Sequence, residues 1–169
     1  MIEALSSQSI GVQAHAIAPS DGTVETRLWV DEYAWLYGIL KSAANVGPTF
    51  RFPDLISAAV TMSLSQPDGC HHIFRLLGTQ LVLRAPSTAR RRESMWRVQY
   101  EQLRDLQRSP ANRHPNPHFQ LDQLTTACVA HARQLDDSGA QLLLQARRNM
   151  AERARLAHGS PPAGERPAS

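Results

Sequence analysis

The sequence predicts a mainly helical protein with two short strands, built from two related strand-helix-helix units and a C-terminal helix. Two observations carry that prediction. The segment from Phe50 to Ser63 recurs sixty-nine residues later as Phe119 to Ala132. Phe50/Phe119, Leu55/Leu124, Ala58/Ala127 and Val60/Val129 are identical, and Phe52/Leu121, Ser57/Thr126, Ala59/Cys128 and Ser63/Ala132 are conservative. Both copies also follow an apolar strand-like run and then a Trp-bearing helix, so the self-similarity spans a whole supersecondary unit. At 169 residues the chain can bury a real core as one or two small domains.

Residues 1–21 are small, polar and punctuated by Gly and Pro, which predicts a flexible arm. From Thr23 to Val30 the chain alternates: Val24, Thr26, Leu28 and Val30 share one face, and Glu25, Arg27 and Trp29 the other. That pattern is a half-buried strand. Asp31 is placed to cap a helix in which Tyr33, Leu36, Tyr37, Leu40 and Ala44 keep helical spacing until Gly47-Pro48 stops it. A second helix spans Thr49 to Gln66, burying Phe52, Leu55, Ile56, Ala59, Val60 and Met62 or Ser63, and Pro67-Asp68-Gly69 ends it with turn chemistry.

The second unit is expected to open with a strand inside Ile73 to Arg84, where Leu81, Leu83 and Ala85 alternate with Gln80, Val82 and Arg84. Pro86-Ser87-Thr88 leads into a long helix to about Arg108, with Met95, Trp96, Val98 or Gln99, Leu103 and Leu106 inward. Residues 109–118 hold three prolines and form a loop. Phe119 to Leu135 is the second copy of the final helix. This placement makes the second unit about fourteen residues longer than the first between strand and Phe. The domain then spans 22–137, with units 22–66 and 78–135. Ser138 caps a C-terminal helix at 138–158, and the Pro/Ala/Gly/Ser tail at 159–169 is expected to be disordered.

Composition narrows the partners. No apolar run is long enough to cross a bilayer, and the start Met1-Ile2-Glu3-Ala4-Leu5 lacks the features of a signal peptide. Two distant cysteines, Cys70 and Cys128, do not make a disulfide framework. The expected location is therefore the cytoplasm, with no membrane partner. Of eighteen basic residues only Lys41 is Lys, and the net charge is +3. The first sixty-five residues hold only Arg27, Lys41 and Arg51, so arginine concentrates in the second half. Arginine offers bidentate donors suited to phosphate and guanine edges; a solvated surface in an arginine-biased proteome fits the same composition.

Thr26-Arg27-Leu28-Trp29-Val30-Asp31-Glu32 leading into an amphipathic helix, then Gly47, then Asp54-Leu55-Ile56-Ser57-Ala58-Ala59-Val60, resembles the ribbon-helix-helix (Arc/MetJ-like) family of bacterial DNA-binding proteins. The likeness covers residues 22–66 well and 78–135 loosely. It departs in a longer turn after Gly47 and in Pro53, which sits in the first turn of the second helix, where proline is tolerated. One such unit exposes an unpaired strand edge, and two copies normally pair as an antiparallel ribbon in the major groove. The resemblance therefore implies a two-stranded antiparallel ribbon between 23–30 and 79–85, making one chain a tandem fused pseudo-dimer. Fused proteins of this kind occur among accessory and regulatory factors of conjugative and mobile elements.

The resemblance also implies roles. Base contacts fall on the outward ribbon residues, Glu25, Arg27 and Trp29 in one strand and Gln80, Val82 and Arg84 in the other, with arginine suited to guanine and glutamine to adenine. Phosphates meet the starts of the second helices, near Phe50, Arg51, His118 and Gln120. Because the strands differ, a non-palindromic target is expected. Arg90, Arg91 and Arg92 fall in the first turn of the long helix, where positive charge opposes the dipole, and a phosphate partner would account for them.

The remaining candidates are weaker. Cys70-His71-His72 and His114, His118, Cys128 and His131 invite a metal, but Cys128 aligns with Ala59 on a buried face, so no metal or other cofactor is expected. Trp35 and Trp96 sit at core spacing. There is no GxGxxG, Walker, GxSxG or HExxH pattern, and no enzyme activity is expected. The function that follows is sequence-specific binding of double-stranded DNA, as a transcriptional regulator of a plasmid or integrative conjugative element or as an accessory factor in conjugative transfer. The C-terminal helix would recruit RNA polymerase, a relaxase or another regulatory protein, or drive self-association. The rival is a helical protein-interaction adaptor, in which the arginine-rich helices meet an acidic protein; it is favoured if residues 23–30 and 79–85 stand apart or their outward faces are buried.

Overall fold

The computed structural model describes residues 22–112 and 118–159. The expected arm at 1–21, residues 113–117 of the Pro-rich loop (His114 among them) and the tail from 160 lie outside the described residues. Strand β1 (Thr23–Trp29) runs directly into helix α1 (Val30–Leu40), and α2 (Phe52–Ser65) follows. Helix α3 (Gly69–Thr79) and a 3-10 turn at Leu81–Leu83 lead to β2 (Arg90–Trp96), which runs directly into α4 (Arg97–Arg108). A second 3-10 turn at Pro110–Asn112 precedes α5 (Leu121–Leu135), and α6 (Ala140–Ala157) ends the described chain. The architecture is mainly helical around one two-stranded antiparallel sheet. No helix among the described residues is long and apolar enough to cross a membrane.

The first half follows its sequence pattern closely. Thr26 and Leu28 are buried beneath the strand, as are Leu36 and Ile39 of α1. The helix starts at Val30 without a side-chain cap, so Asp31 is not its N-cap. Tyr37 and Ala44 face solvent. In α2, nine residues including Leu55, Ile56, Ala59, Val60 and Met62 are buried, because this helix crosses α5 in the middle of the molecule. Ser63 Oγ donates to the Cys128 carbonyl at 2.8 Å across that crossing.

The second half corrects the expected strand. Residues 79–85 form no strand and do not pair with β1. Residues 69–79 are a helix because Ile73, Phe74, Leu76 and Leu77 bury one helical face, and Leu81 continues it into the core while Val82 and Leu83 are exposed. The strand lies instead at 90–96, in what looks like the first turn of the long helix. It pairs with β1 from Thr23 opposite Trp96 to Trp29 opposite Arg90, centred on Thr26 opposite Glu93. Two flanking bonds extend the ladder, Val30 N–H to the Ala89 carbonyl at 3.0 Å and Arg97 N–H to the Gly22 carbonyl at 3.2 Å.

With β2 placed there, matched contacts recur. Trp29 and Trp96 each end a strand, and Tyr33/Tyr100, Leu36/Leu103 and Ile39/Leu106 follow at the same sixty-seven-residue offset; the two leucines and Ile39/Leu106 are buried. The Asn45 side chain accepts from Phe50 N–H at 2.7 Å and donates to the Leu40 and Phe50 carbonyls at 3.0 Å. Asn112 does the same with Phe119 N–H at 2.9 Å and with the Gln107 and Phe119 carbonyls at 2.9 and 3.2 Å. The strands also reach across: Trp96 N–H donates to Ser57 Oγ of α2 at 2.8 Å and Trp29 N–H to Thr126 Oγ1 of α5 at 3.3 Å. The fourteen-residue difference thereby shrinks to the two extra residues between Asn112 and Phe119.

Helix α6 packs on α2 through Leu142, Leu143 and Ala146, whereas Met150 and Ala154 are exposed. Its start is tied to α1 by Gly139, which holds φ at 78° and whose Cβ would lie 2.6 Å from Ile39 Cδ1. A side chain there would meet both backbone strain and a clash.

Candidate nucleic-acid interface

In an antiparallel pair, directly opposed residues share a face. Thr26 and Leu28 point to the core, so Glu93 and Arg91 lie on that side. The other face carries the pairs Glu25·Ser94, Arg27·Arg92 and Trp29·Arg90. Glu25, Arg27, Arg90 and Arg92 are exposed, and Arg92 Nε lies 3.2 Å from Glu25 Oε1. Arg27 makes no ion pair with another described residue. The open face is thus a small polar surface with two adjacent arginines at its middle.

Trp29 lies on this face but is 6% exposed. The guanidinium groups of Arg84 and Arg90 cover its ring at 5.3 and 5.2 Å, as cation–π contacts. Arg84 is held by a two-point bond to Glu32, 2.7 and 2.6 Å. Glu32 is itself 4% exposed, and its carboxylate raises the Arg84 pKa further above its ordinary value. Arg84 therefore sits beside the sheet as a structural clamp. Gln80 follows the last residue of α3, and its side chain accepts from Gln134 at 3.3 Å; Val82 lies in the 3-10 turn. None of the three belongs to the sheet, which corrects their expected place in the ribbon.

The starts of α2 and α5 flank the sheet. Leu121 and Asp122 line one cleft with Glu25, Arg27 and Tyr100, and Asp122 Oδ2 accepts from Arg90 Nε at 3.2 Å. Gln120 N–H is taken by Gln123 Oε1 at 2.8 Å. At the other end, Asp54 Oδ2 accepts Arg51 N–H at 3.0 Å, while Oδ1 accepts Trp96 Nε1 at 2.8 Å and Arg153 at 3.1 Å. Arg153 also stacks 4.0 Å above the Trp96 ring, so Trp96 is a half-buried boundary residue. Burial lowers the Arg153 pKa, and Arg51 adds to that while Asp54 opposes it. The Arg51 side chain is 72% exposed.

The expected phosphate contacts divide accordingly. The Phe50 side chain is buried and its amide is occupied by Asn45, so Phe50 has nothing left to offer a phosphate. Arg51 and Gln120 retain exposed side chains, and His118 is exposed with its ring 3.3 Å from Asn112 Nδ2. Arg90, Arg91 and Arg92 leave the helix terminus and become strand residues: Arg90 and Arg92 join the open face, and Arg91 sits 5.8 Å over Tyr33. Ser94 is the open-face residue the sequence reading missed; extending the repeat backwards from Tyr33/Tyr100 and Trp29/Trp96 finds it.

Of the candidate metal ligands, Cys128 is fully buried and its thiol is pushed far up by burial, while Cys70 is exposed. Trp35 donates its indole N–H to the Asp137 carbonyl at 3.0 Å and is half-buried. Comparison with known family models, curated proteins and solved structures gives no match to this chain.

Proposed function

We propose that the chain is a pair of fused ribbon-helix-helix units that binds double-stranded DNA at a specific site, with the β1–β2 sheet as the ribbon entering the major groove. The observation that carries this reading is the antiparallel pairing of β1 with β2, which leaves Glu25, Arg27, Arg92 and Ser94 on an open face between the starts of α2 and α5. A two-stranded ribbon fits the width of the major groove. The recurring asparagine clamps and the crossed Trp amide bonds support the pairing of two like units. Arg27 and Arg92 suit guanine edges, and Glu25 suits the cytosine amino group. Arg51 with Arg153 and Gln120 with His118 would meet backbone phosphates on either side. Pro53 removes one amide from the start of α2, and the two arginines offset that loss.

Residues 79–85 stand apart from β1, which by itself is what the adaptor reading expects; the DNA reading rests instead on the pairing of β1 with β2 and on the exposure of Glu25, Arg27 and Arg92 on its open face. Occupying a site in this way suits a regulator or a transfer accessory factor of a mobile element. Selection of bound fragments from random DNA should return a non-palindromic site. Arg27→Ala and Arg92→Ala should each weaken binding to that site by about ten- to a hundredfold and leave binding to unrelated DNA nearly unchanged. Site binding by the wild type should also fall steeply with salt. Unchanged site binding by both variants would overturn the ribbon assignment.

A further inference from the structure

Between α3 and the C-terminal half of α5 lies a cleft of about 320 Å³ lined by His72, Arg75, Thr79, Gln80, His131 and Gln134. Among the described residues no carboxylate lines it, and Arg75 makes no ion pair with another of them. The rings of His72 and His131 stack with centroids 5.7 Å apart and planes 19° apart. His131 is 7% exposed, and its Nδ1 is buried with no hydrogen-bond partner among the described residues.

Packing alone does not ask for an imidazole there. In the repeat His131 stands where α2 has Met62, which is 8% exposed and faces Gln141 and Gln145 of α6. An orphan buried N–H costs more than an orphan lone pair. The ring proton therefore belongs on Nε2, the polar atom left to face the cleft. His131 lies ten residues from the start of α5, about 15 Å along the helix axis, so the cleft is separate from the open face of the sheet.

We infer that this cleft is a binding site for a small oxyanion-bearing ligand, a phosphorylated or carboxylated metabolite, held by Arg75 with His72 and His131 as further donors. Arg75 supplies the planar fork that pairs with either oxyanion, the glutamine amides and Thr79 complete a polar lining, and no acidic group among the described lining residues competes. Burial and the neighbouring His72 both lower the His131 pKa. A bound oxyanion reverses the sign of the local charge and raises it.

The test uses the full chain without DNA, so its outcome is independent of the DNA-binding reading. Thermal unfolding and the NMR titration of His131 are followed in sodium phosphate, in sodium succinate and in sodium chloride at matched ionic strength. Phosphate or succinate should raise the Tm with the logarithm of its concentration and shift the His131 titration to higher pH, with chloride doing neither. A response to phosphate alone identifies a phosphorylated ligand, and one to succinate alone a carboxylated ligand. Arg75→Gln should fold and lose both responses. His131→Met, which installs the residue of the other half, should fold and lose the Tm response. Equal behaviour in all three salts, or a full response in Arg75→Gln, would overturn the site.

Discussion

Arg84 shows how one residue changes meaning with its surroundings. On a strand it would be a base reader; beside the sheet it neutralises the buried Glu32 and covers Trp29. Removing it strands a carboxylate that is 4% exposed. Arg84→Ala should therefore lower unfolding stability by about 2 kcal/mol, less than for a fully buried pair because the guanidinium is partly solvated. Urea denaturation measures this, and a change in DNA specificity without a change in stability would contradict it. Glu93 makes a second residue-scale prediction. Burial raises its pKa, so the folded chain holds a proton to higher pH than the unfolded chain. Stability contributed at this position is present in acid and is lost as pH rises through the raised value. Glu93→Gln should accordingly raise the Tm at pH 7, and the gain should vanish below about pH 4, where both states are protonated.

At the scale of elements, what was legible in the sequence were the segments whose faces meet the core. β1 shows its period because it buries one face; α2 is legible as a near-continuous apolar and small-residue run, buried at every position from Asp54 to Val60, and α5 because it repeats α2. β2 hides its period: of the two residues it turns inward near its centre, one is Glu93 and the other Arg91, and only Met95 is apolar and buried. A strand whose core side is mostly polar carries no alternation to detect. The exposed Leu83 and Val82, by contrast, gave an alternation with no strand behind it. The site inherited that error, since three of its six expected base contacts depended on the second strand. The turn before each central helix was equally hard to foresee, because a single asparagine organises it. Asn45→Ala and Asn112→Ala each remove three bonds around a buried Phe, and each should cost about 2 kcal/mol. Equal losses in the two variants, measured by thermal unfolding, are expected from the matching geometry.

For the whole molecule, the important fact is that both strands of the sheet belong to one chain. Assembly of the proposed interface needs no second subunit. The unfolding midpoint should then be independent of protein concentration over at least a hundredfold range, and DNA binding should saturate at one chain per site with no threshold from dimerisation. Sedimentation with labelled site DNA checks the stoichiometry. A concentration-dependent midpoint would show that the fold is completed between chains.

The centre of the sheet, where Thr26 faces Glu93, also bears on which partner each strand accepts. If β2 met the β2 of another molecule in the equivalent register, two half-buried carboxylates would face each other at the crossing point. Like charges directly opposed destabilise a strand pair, and this pair would be partly removed from water as well. Threonine opposite glutamate has no such conflict, and Thr26 Oγ1 keeps its own bond to Thr125 Oγ1 at 3.0 Å. Glu93 costs the monomer some stability, yet it steers β2 away from its own kind in a crowded cell and toward the strand it is tethered to.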